Sequence, residues 1–470
     1  MITCRGARSA RLFSVFTVSS AFVLLVAASS AFAQSKAPTP LAILDSSGTI
    51  STLSTTGSID LNNPFFKNLG TNGRTCLSCH VPSQGWTVSP PDIALRFLTT
   101  LGTDPIFRPV DGAVCPSAKV STFAQRVSAY SLLLRKGLIR ISLAVPSNAQ
   151  FSIIGIQDPY HCPETTATQP ALYRRPLPSA NLPFLATIMW DGRETFAGNT
   201  IDQDLASQAS DATTGHAQAM TAPSVDQLAQ IVNLETTLFT AQNYDFSAGP
   251  LTAAGAKGGP ALLTTQPFFI GINDPLGGNP SGAAFDSSAF TLYSAWLNLP
   301  GNDRQSQARR SIARGEVLFN TLPIPITNVA GLNDSLGVQT IPGTCTTCHD
   351  APNAGDHSVS LALNIGITDY PGHPGLDISG LPVYTVQCNL TTPPTTMQTT
   401  DIGRAMVTGK CVDIGKTKGP ILRGLAARAP YFHNGSASSL KDVITFYNQR
   451  FSLDLTVQQQ ADLVAFLKTL

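Results

Sequence analysis

Residues 345–349 read Cys-Thr-Thr-Cys-His, and the same spacing occurs earlier in the chain as Cys-Leu-Ser-Cys-His at residues 76–80. This spacing is the attachment signature of a c-type haem, in which both thiols bind the porphyrin and the histidine binds the iron. A zinc site or a thioredoxin-like dithiol is the alternative, but zinc would need a second pair of ligands nearby, and neither motif has one. The sequence therefore predicts two covalent haems, each held by two cysteines and a histidine: Cys76, Cys79 and His80, and Cys345, Cys348 and His349.

The first 33 residues have the pattern of a secretory signal peptide. Three arginines precede a mostly apolar stretch at 13–28, and Ala-Phe-Ala at 31–33 forms a typical cleavage site before Gln34. An uncleaved anchor helix is disfavoured because serines and a threonine interrupt a stretch that is already short. We expect no later segment to span a membrane. Because haem is attached to this motif outside the cytoplasm in bacteria, we expect a periplasmic protein with residues 1–33 removed.

The charge and the other cysteines restrict the possible functions further. Loss of the signal peptide removes three arginines and no acid, so the formal net charge of +1 becomes −2, which argues against a nucleic-acid partner. Of nine cysteines, four would hold haem and Cys4 would leave with the signal peptide. The remaining four suggest two disulfides in an oxidising compartment, with free thiols as the alternative. Three connectivities are possible, and we favour the nearest-neighbour pairs: Cys115–Cys162 and Cys388–Cys411.

The two haem motifs lie 269 residues apart, so each should centre its own domain. The resemblance of the second motif and its flanking helices to cytochrome c, described below, implies a mainly α-helical protein with two cytochrome c-like haem domains and long irregular loops. The expected parts are a signal peptide over 1–33, a flexible arm over 34–62, an N-terminal haem domain over 63–300 with an insertion at 88–172, and a C-terminal haem domain over 301–470.

Two helices should frame the second motif. One covers residues 306–318 and carries Gly315 on its apolar side, and the other follows a capping box formed by Thr456 and Gln459. This order of helix, haem motif and closing helix resembles the cytochrome c fold, in which a glycine lets the two helices cross closely.

Several further stretches resemble motifs of the bacterial di-haem cytochrome c peroxidases and their relatives, the MauG enzymes. The matches occur in family order from about residue 64 to the C-terminus, with the insertion outside them: Gln-Gly-Trp-Thr at 84–87, Arg174 followed by Asn-Leu-Pro-Phe at 181–184, Met-Trp-Asp-Gly-Arg at 189–193, Asp-Ile-Gly-Arg at 401–404, Val-Thr-Gly at 407–409, and 418–435 with its Ala-Pro-Tyr-Phe-His-Asn-Gly ending. The resemblance implies a peroxidase in which the N-terminal haem meets hydrogen peroxide and the C-terminal haem stores or relays electrons.

The same resemblance implies roles for three residues near the first haem. Trp190 matches a tryptophan that carries charge between the haems, although residue type alone would favour a core position. Gln208 matches the glutamine of the family's Gln-Ala pair. The family's nearby glutamate is missing here, so we expect His216 to shuttle protons instead, with an exposed loop histidine as the alternative.

The first haem should have an open coordination position, as in MauG-type enzymes. No histidine lies between His80 and His161, whereas ordinary peroxidases of the family have one that binds the resting iron. His161 itself is a less favoured candidate for the open side.

The second haem should have Tyr447 as its upper ligand. Tyr447 lies fourteen residues after His433, where ordinary peroxidases have methionine and MauG-type enzymes have tyrosine. Periodicity alone would make it a core aromatic residue, and Met406 is the second candidate. A phenolate ligand favours higher oxidation states of iron, so a haem held by His349 and Tyr447 indicates MauG-like protein oxidation.

Calcium and partner predictions follow from the same comparison. Arg175 and residues 428–430 replace the oxygen ligands that hold calcium between the haems in the family, so we expect no calcium. The expected partners are hydrogen peroxide and either a small electron donor, a cytochrome or cupredoxin, or a protein substrate. A detoxifying peroxidase and a non-catalytic di-haem electron carrier are the alternative functions.

Overall fold

The computed structural model describes residues 35–470, so the predicted signal peptide lies outside the described residues. Ten α-helices run through this part of the chain: α1 Pro90–Thr100, α2 Phe123–Ala129, α3 Ser131–Lys136, α4 Ile201–Gly215, α5 Val225–Thr237, α6 Arg304–Thr321, α7 Asn333–Leu336, α8 Ala405–Thr408, α9 Leu440–Arg450 and α10 Val457–Leu467. The strands are β1 Lys36–Pro38, β2 Leu41–Leu44, β3 Gly48–Ser54, β4 Ser58–Asp60, β5 Ile139–Ser142, β6 Phe151–Gln157, β7 Ala171–Arg174, β8 Leu238–Asp245, β9 Gly249–Pro250, β10 Ile324–Thr327, β11 Thr340–Gly343, β12 Ala362–Leu363, β13 Val383–Cys388, β14 Thr395–Thr399 and β15 Thr417–Lys418.

The prediction of a mainly α protein is wrong. Only 29% of the chain is helical and 17% lies in strands, which form six small sheets in the described part of the chain. Many of these strands come from segments rich in threonine and β-branched residues, which suit a pleated surface but have no periodicity long enough to stand out from loops.

The segment predicted as a flexible arm is instead part of a sheet. Strand β3 pairs with β2 on one side and with β8 on the other, and β8 pairs with β9, in one antiparallel sheet of order β2-β3-β8-β9. Most of β3 is buried, and its Thr52 hydroxyl accepts a 2.9 Å hydrogen bond from the indole of Trp86. This contact fixes the sheet behind the first haem motif.

The insertion at 88–172 connects the two halves of the protein. Its strand β6 pairs antiparallel with β13, which belongs to the C-terminal half and pairs in turn with β14. The predicted disulfide pairing is confirmed: Cys115–Cys162 closes a loop within the insertion, and Cys388–Cys411 ties the end of β13 to a following turn.

The close crossing of two helices around Gly315 is confirmed. A Cβ atom at Gly315 in α6 would lie 2.0 Å from the carbonyl oxygen of Asp462 in α10, so only glycine allows this approach. The predicted capping box at the start of α10 is also present, with Gln459 and Thr456 bonded reciprocally. Phe319 and Phe466 then pack together in the core beside the second haem motif.

Within residues 35–470, none of the helices combines the length and the apolar character that crossing a membrane requires.

Candidate haem sites

The two haem motifs have the same local structure. Each opens with a single 3-10 turn, Cys76–Ser78 or Cys345–Thr347, with a threonine capping its start. The histidine that follows donates its backbone N–H to the carbonyl of the first cysteine, at 3.0 Å for His80 and 3.1 Å for His349. This turn brings both thiols and the imidazole to one side of the backbone, where a cavity opens in each half.

In both motifs the imidazole is oriented for iron binding. Nδ1 of His80 is 3.0 Å from the carbonyl oxygen of Trp86, and Nδ1 of His349 is 3.1 Å from that of Gly355. A carbonyl partner fixes the proton on Nδ1 and leaves Nε2 free as a ligand atom. Burial lowers the pKa of both histidines to about 4, so both rings are neutral at pH 7.

The residues around the motifs fit a haem at each site. None of the four motif cysteines forms a disulfide with another described residue, so their thiols are available to a porphyrin. The second cavity is lined mainly by aliphatic and aromatic side chains, as a porphyrin face requires. Lys418 is buried in the wall of both cavities, where the carboxylates of a bound haem could pair with it.

The two cavities meet at a shared wall. Pro176, Pro178 and Lys418 line both of them. Met189 faces the first cavity, and its neighbour Trp190 faces the second. The predicted bridge residue is therefore found where the two cavities approach each other.

A buried ion network fixes the segment that contains Trp190. The guanidinium of Arg174 donates to Asp191 at 2.5 Å and to both carboxylate oxygens of Asp401 at 2.7 and 2.8 Å. Burial alone would raise the pKa of both aspartates, but the charge of Arg174 outweighs it and holds them below the ordinary range. The network joins the Trp-Asp-Gly-Arg segment to the Asp-Ile-Gly-Arg segment, which explains why both matched the family.

Both predicted proton-handling residues line the first cavity. Gln208 lies in α4, and His216 is the residue that caps the C-terminal end of this helix. Nδ1 of His216 lies 2.5 Å from Oδ2 of Asp111, which belongs to the insertion. His161 is exposed beside the Cys115–Cys162 disulfide and is not part of the cavity wall.

Two acidic residues that were not predicted from the sequence, Asp111 and Glu235, also line the first cavity. The carboxylate of Glu235 is buried with one oxygen unbonded, and burial raises its pKa to about 8. One signal was available, because Glu235 follows Ile231 by four positions and so lies on the apolar side of α5. Asp111 had no comparable signal.

The second cavity contains Tyr447 but not Met406. Tyr447 shares the cavity wall with Cys345, Cys348 and His349, and burial raises the pKa of its hydroxyl. Met406 is buried in a separate core cluster with Cys388 and Cys411. Of the two predicted ligands, only Tyr447 faces the space beside the second motif.

Arg175 stands at a position where the family that the sequence resembles has a calcium ligand. Its guanidinium donates to the carbonyl oxygens of Lys136, Val88 and Arg428, at 2.9, 2.9 and 3.1 Å. The side chain is buried, and this burial, together with the charge of Arg428, lowers its pKa to about 9. These three carbonyl oxygens therefore accept hydrogen bonds from the guanidinium group of Arg175.

No family model matches the chain. Part of it is similar to curated proteins named cytochrome-c peroxidase. The protein IdrP1 of Pseudomonas sp. (strain SCT) is 30% identical over 144 residues, which are 27% of this chain and 36% of that protein. The protein IdrP2 of Denitromonas iodatirespirans is 31% identical over 147 residues, 29% of this chain and 38% of that protein. The matched part thus spans little more than a third of these relatives.

Among solved structures, a MauG-like protein associated with microbial copper homeostasis aligns over 87% of both chains, with 16% identity and a TM-score of 0.37.

Proposed function

We propose that this chain, part of which is similar to proteins named cytochrome-c peroxidase, is a periplasmic oxidoreductase that reduces hydrogen peroxide at its N-terminal haem site. Two c-type haems, one on each motif, supply the iron that exchanges electrons. The reaction consumes two electrons and two protons per peroxide and releases two water molecules. One observation carries the proposal: the cavity containing His80 also holds a second histidine, His216, fixed by a buried carboxylate.

The residues of the first cavity have distinct roles in this proposal. His80 binds the iron through Nε2, because its Nδ1 is bonded to a backbone carbonyl. His216 uses its own Nε2 to take a proton from one peroxide oxygen and return it to the departing oxygen, a task suited to an imidazole near neutral pH. Gln208, in the same wall, can donate a hydrogen bond from its side-chain amide.

Trp190 is proposed to carry charge between the two sites. Its position in the second cavity, one residue after Met189 in the first, supports this role. The reducing electrons then come through the C-terminal site from a small cytochrome or cupredoxin, or from an oxidisable side chain on a protein substrate.

We propose that Tyr447, together with His349, would hold the iron of a haem bound at the C-terminal site. The separation of Met406 from this cavity supports tyrosine over methionine. An oxygen ligand favours oxidised iron, whereas a thioether stabilises the reduced state. This choice favours a MauG-like oxidation of a protein partner over peroxide detoxification, which is the second candidate function.

The test is a stopped-flow measurement of the purified di-haem protein with hydrogen peroxide. We expect one high-spin ferric haem in the wild type, and a peroxide reaction that is roughly 10²–10⁴ times slower in His216→Gln, the usual cost of losing an acid–base group. His161→Gln is the matched control, because that histidine is exposed in the insertion, and it should react at the wild-type rate.

Two results would contradict the proposal. A ferric spectrum with only six-coordinate, low-spin iron would indicate an electron carrier rather than a peroxidase. An unchanged rate in His216→Gln would remove this histidine from the proton path. Covalent attachment and export are tested separately by the mass of the purified chain, which should begin at Gln34 and include two haems.

A further inference from the structure

One wall of the first cavity is built by the insertion, which had no match among the family motifs. Asp111 and Ile139 both line the cavity. Arg96, in helix α1 of the insertion, also donates a 2.7 Å hydrogen bond to the carbonyl of Ser78 inside the haem motif. The insertion is therefore in direct contact with the motif as well as with the cavity.

Asp111 is held rigidly where it meets His216. Its side chain is only 6% exposed, and its backbone carbonyl accepts a 2.7 Å hydrogen bond from Arg140 at the start of the next strand. One carboxylate oxygen contacts Nδ1 of His216 and the other lies 2.5 Å from the guanidinium of Arg74, so both oxygens face a cationic or N–H group.

Arg74 ties this arrangement to the haem motif. It lies two residues before Cys76 and is buried. Besides its ion pair with Asp111, it donates to the carbonyls of Pro105 and Ile106 in the insertion, and to that of His216 at 3.2 Å. One guanidinium thus joins the motif, the insertion and the end of α4.

We propose that Asp111 is a positioning residue for His216, and that the insertion therefore completes the peroxide site. The carboxylate accepts a hydrogen bond from the N–H group at Nδ1. This bond fixes the orientation of the ring and leaves Nε2 as the atom directed into the cavity. This is the function of the aspartate in a Ser-His-Asp triad, where replacing it by asparagine stabilises the wrong tautomer. The inference rests on the proposed role of His216 and extends it to a residue that does not itself touch the peroxide.

The alternative is that Asp111 only neutralises Arg74 and holds the insertion in place. The chain provides a matched control for this, because Asp104 forms a similar ion pair with Arg96, at 2.5 Å, in the same insertion and beside the same motif. Asp104 does not line the cavity. A purely structural role would make the losses in Asp111→Asn independent of whether His216 is present.

The experiment compares Asp111→Asn, Asp104→Asn, His216→Gln and the double variant Asp111→Asn/His216→Gln in the di-haem protein. The main measurement is fluoride affinity of the ferric first haem by optical titration, because fluoride binds together with a proton, which Nε2 of His216 accepts and then donates to the fluoride as a hydrogen bond. The second is the rate of the peroxide reaction.

We expect Asp111→Asn and His216→Gln each to lose at least about tenfold in both measurements, since a misplaced tautomer removes the acid–base group. Asp104→Asn should stay within about twofold of wild type, since a partly exposed ion pair contributes little, and the double variant should resemble His216→Gln alone.

Additive losses in the double variant, equal losses in Asp104→Asn, or no loss in Asp111→Asn would overturn the inference. The inference would also be overturned if the wild type bound no fluoride because His216 itself binds the iron. Asp111→Ser is measured as a second variant, so that the comparison stands if the asparagine variant takes up no haem. The two proposals can also be separated. If the fluoride effects of Asp111→Asn and His216→Gln are not additive but the wild type does not react with peroxide, the proposed function is refuted and the positioning role is supported.

Discussion

The indole Nε1 of Trp190 donates a 2.8 Å hydrogen bond to the carbonyl oxygen of Arg175. The same tryptophan accepts a 2.8 Å hydrogen bond from the backbone of Lys418, and its ring meets that of His433 edge to face at 6.0 Å. The ring is thus held by two contacts, and the backbone that carries it by a third, at the boundary between the two cavities.

Replacing Trp190 by Phe should separate the two sites electronically. Peroxide should still react at the first haem, because that cavity keeps its lining, while the spectrum of the second haem should stop responding on the same timescale. Trp296→Phe is the matched control, since that buried indole also bonds a backbone carbonyl, at 2.9 Å, but lies in the C-terminal core. Simultaneous oxidation of both haems in Trp190→Phe would refute the bridge.

Replacing Tyr447 by Phe should change the spectrum of the low-spin haem, because the proposed oxygen ligand is lost while the ring volume is kept. Resonance Raman or EPR spectroscopy of the ferric protein would detect the change. Met406→Leu should leave the spectrum as it is. The opposite result, with a near-infrared methionine-to-iron band that Met406→Leu removes, would restore an ordinary peroxidase.

Glu235 should make stability depend on pH. Burial raises its pKa to about 8 from an ordinary value of 4.5, so between these values the folded protein holds a proton that the unfolded chain releases. The free energy of unfolding should therefore fall as pH rises from about 4.5 to about 8, by at most about 5 kcal/mol at about 1.4 kcal/mol per pH unit.

Glu235→Gln should remove this fall, so that its stability advantage over wild type grows with pH and levels off above about pH 8. Urea unfolding at several pH values measures it. Asp226→Asn, on the exposed side of the same helix, is the control and should keep the wild-type dependence. A constant difference between wild type and Glu235→Gln at all pH values would contradict the prediction.

Replacing Gly315 by Ala should destabilise the C-terminal core. The added methyl would meet the backbone of Asp462 at 2.0 Å and force α6 and α10 apart, which should cost about 1–3 kcal/mol or more in the free energy of unfolding. Gly215→Ala is the control, because a Cβ there has no neighbour within 4 Å. Equal effects of the two substitutions would show that helix contact does not require Gly315.

Removing divalent cations should have no effect. Arg175 already donates to three backbone carbonyls, and a cationic side chain excludes a second cation from the same position. Treatment with a calcium chelator should leave the melting temperature and the peroxide rate unchanged. Elemental analysis that finds about one tightly held calcium per chain would contradict this.

Local patterns were sufficient to predict the parts of the fold that depend on near neighbours. The capping box at Thr456, the crossing at Gly315 and the two disulfides all depend on short-range geometry or on pairing within one segment. The sheets were missed because their partners are far apart in the chain. Thr52 of β3, for example, contacts Thr240 of β8, 188 residues later.

The candidate site divides in the same way. Motif spacing led to the proposed haem-binding residues, and the family resemblance led to Trp190, Gln208, His216 and Tyr447, which all line one of the two cavities. Asp111 could not be predicted, because its spacing relates it to no motif and only the folded insertion brings it to His216. Glu235 was overlooked because a single acid on an apolar helix face is usually a partly exposed residue.

The pairing of β6 with β13 limits how this protein could be recombined with its relatives. A chimera that omits residues 88–172 would leave one edge of β13 without its hydrogen-bond partners, and an unpaired edge is a template for aggregation. The same excision would remove Gln150, whose side chain binds the backbone of Cys411 at 3.1 Å. Residues 88–172 therefore cannot be exchanged as a module without a matching surface in the C-terminal half.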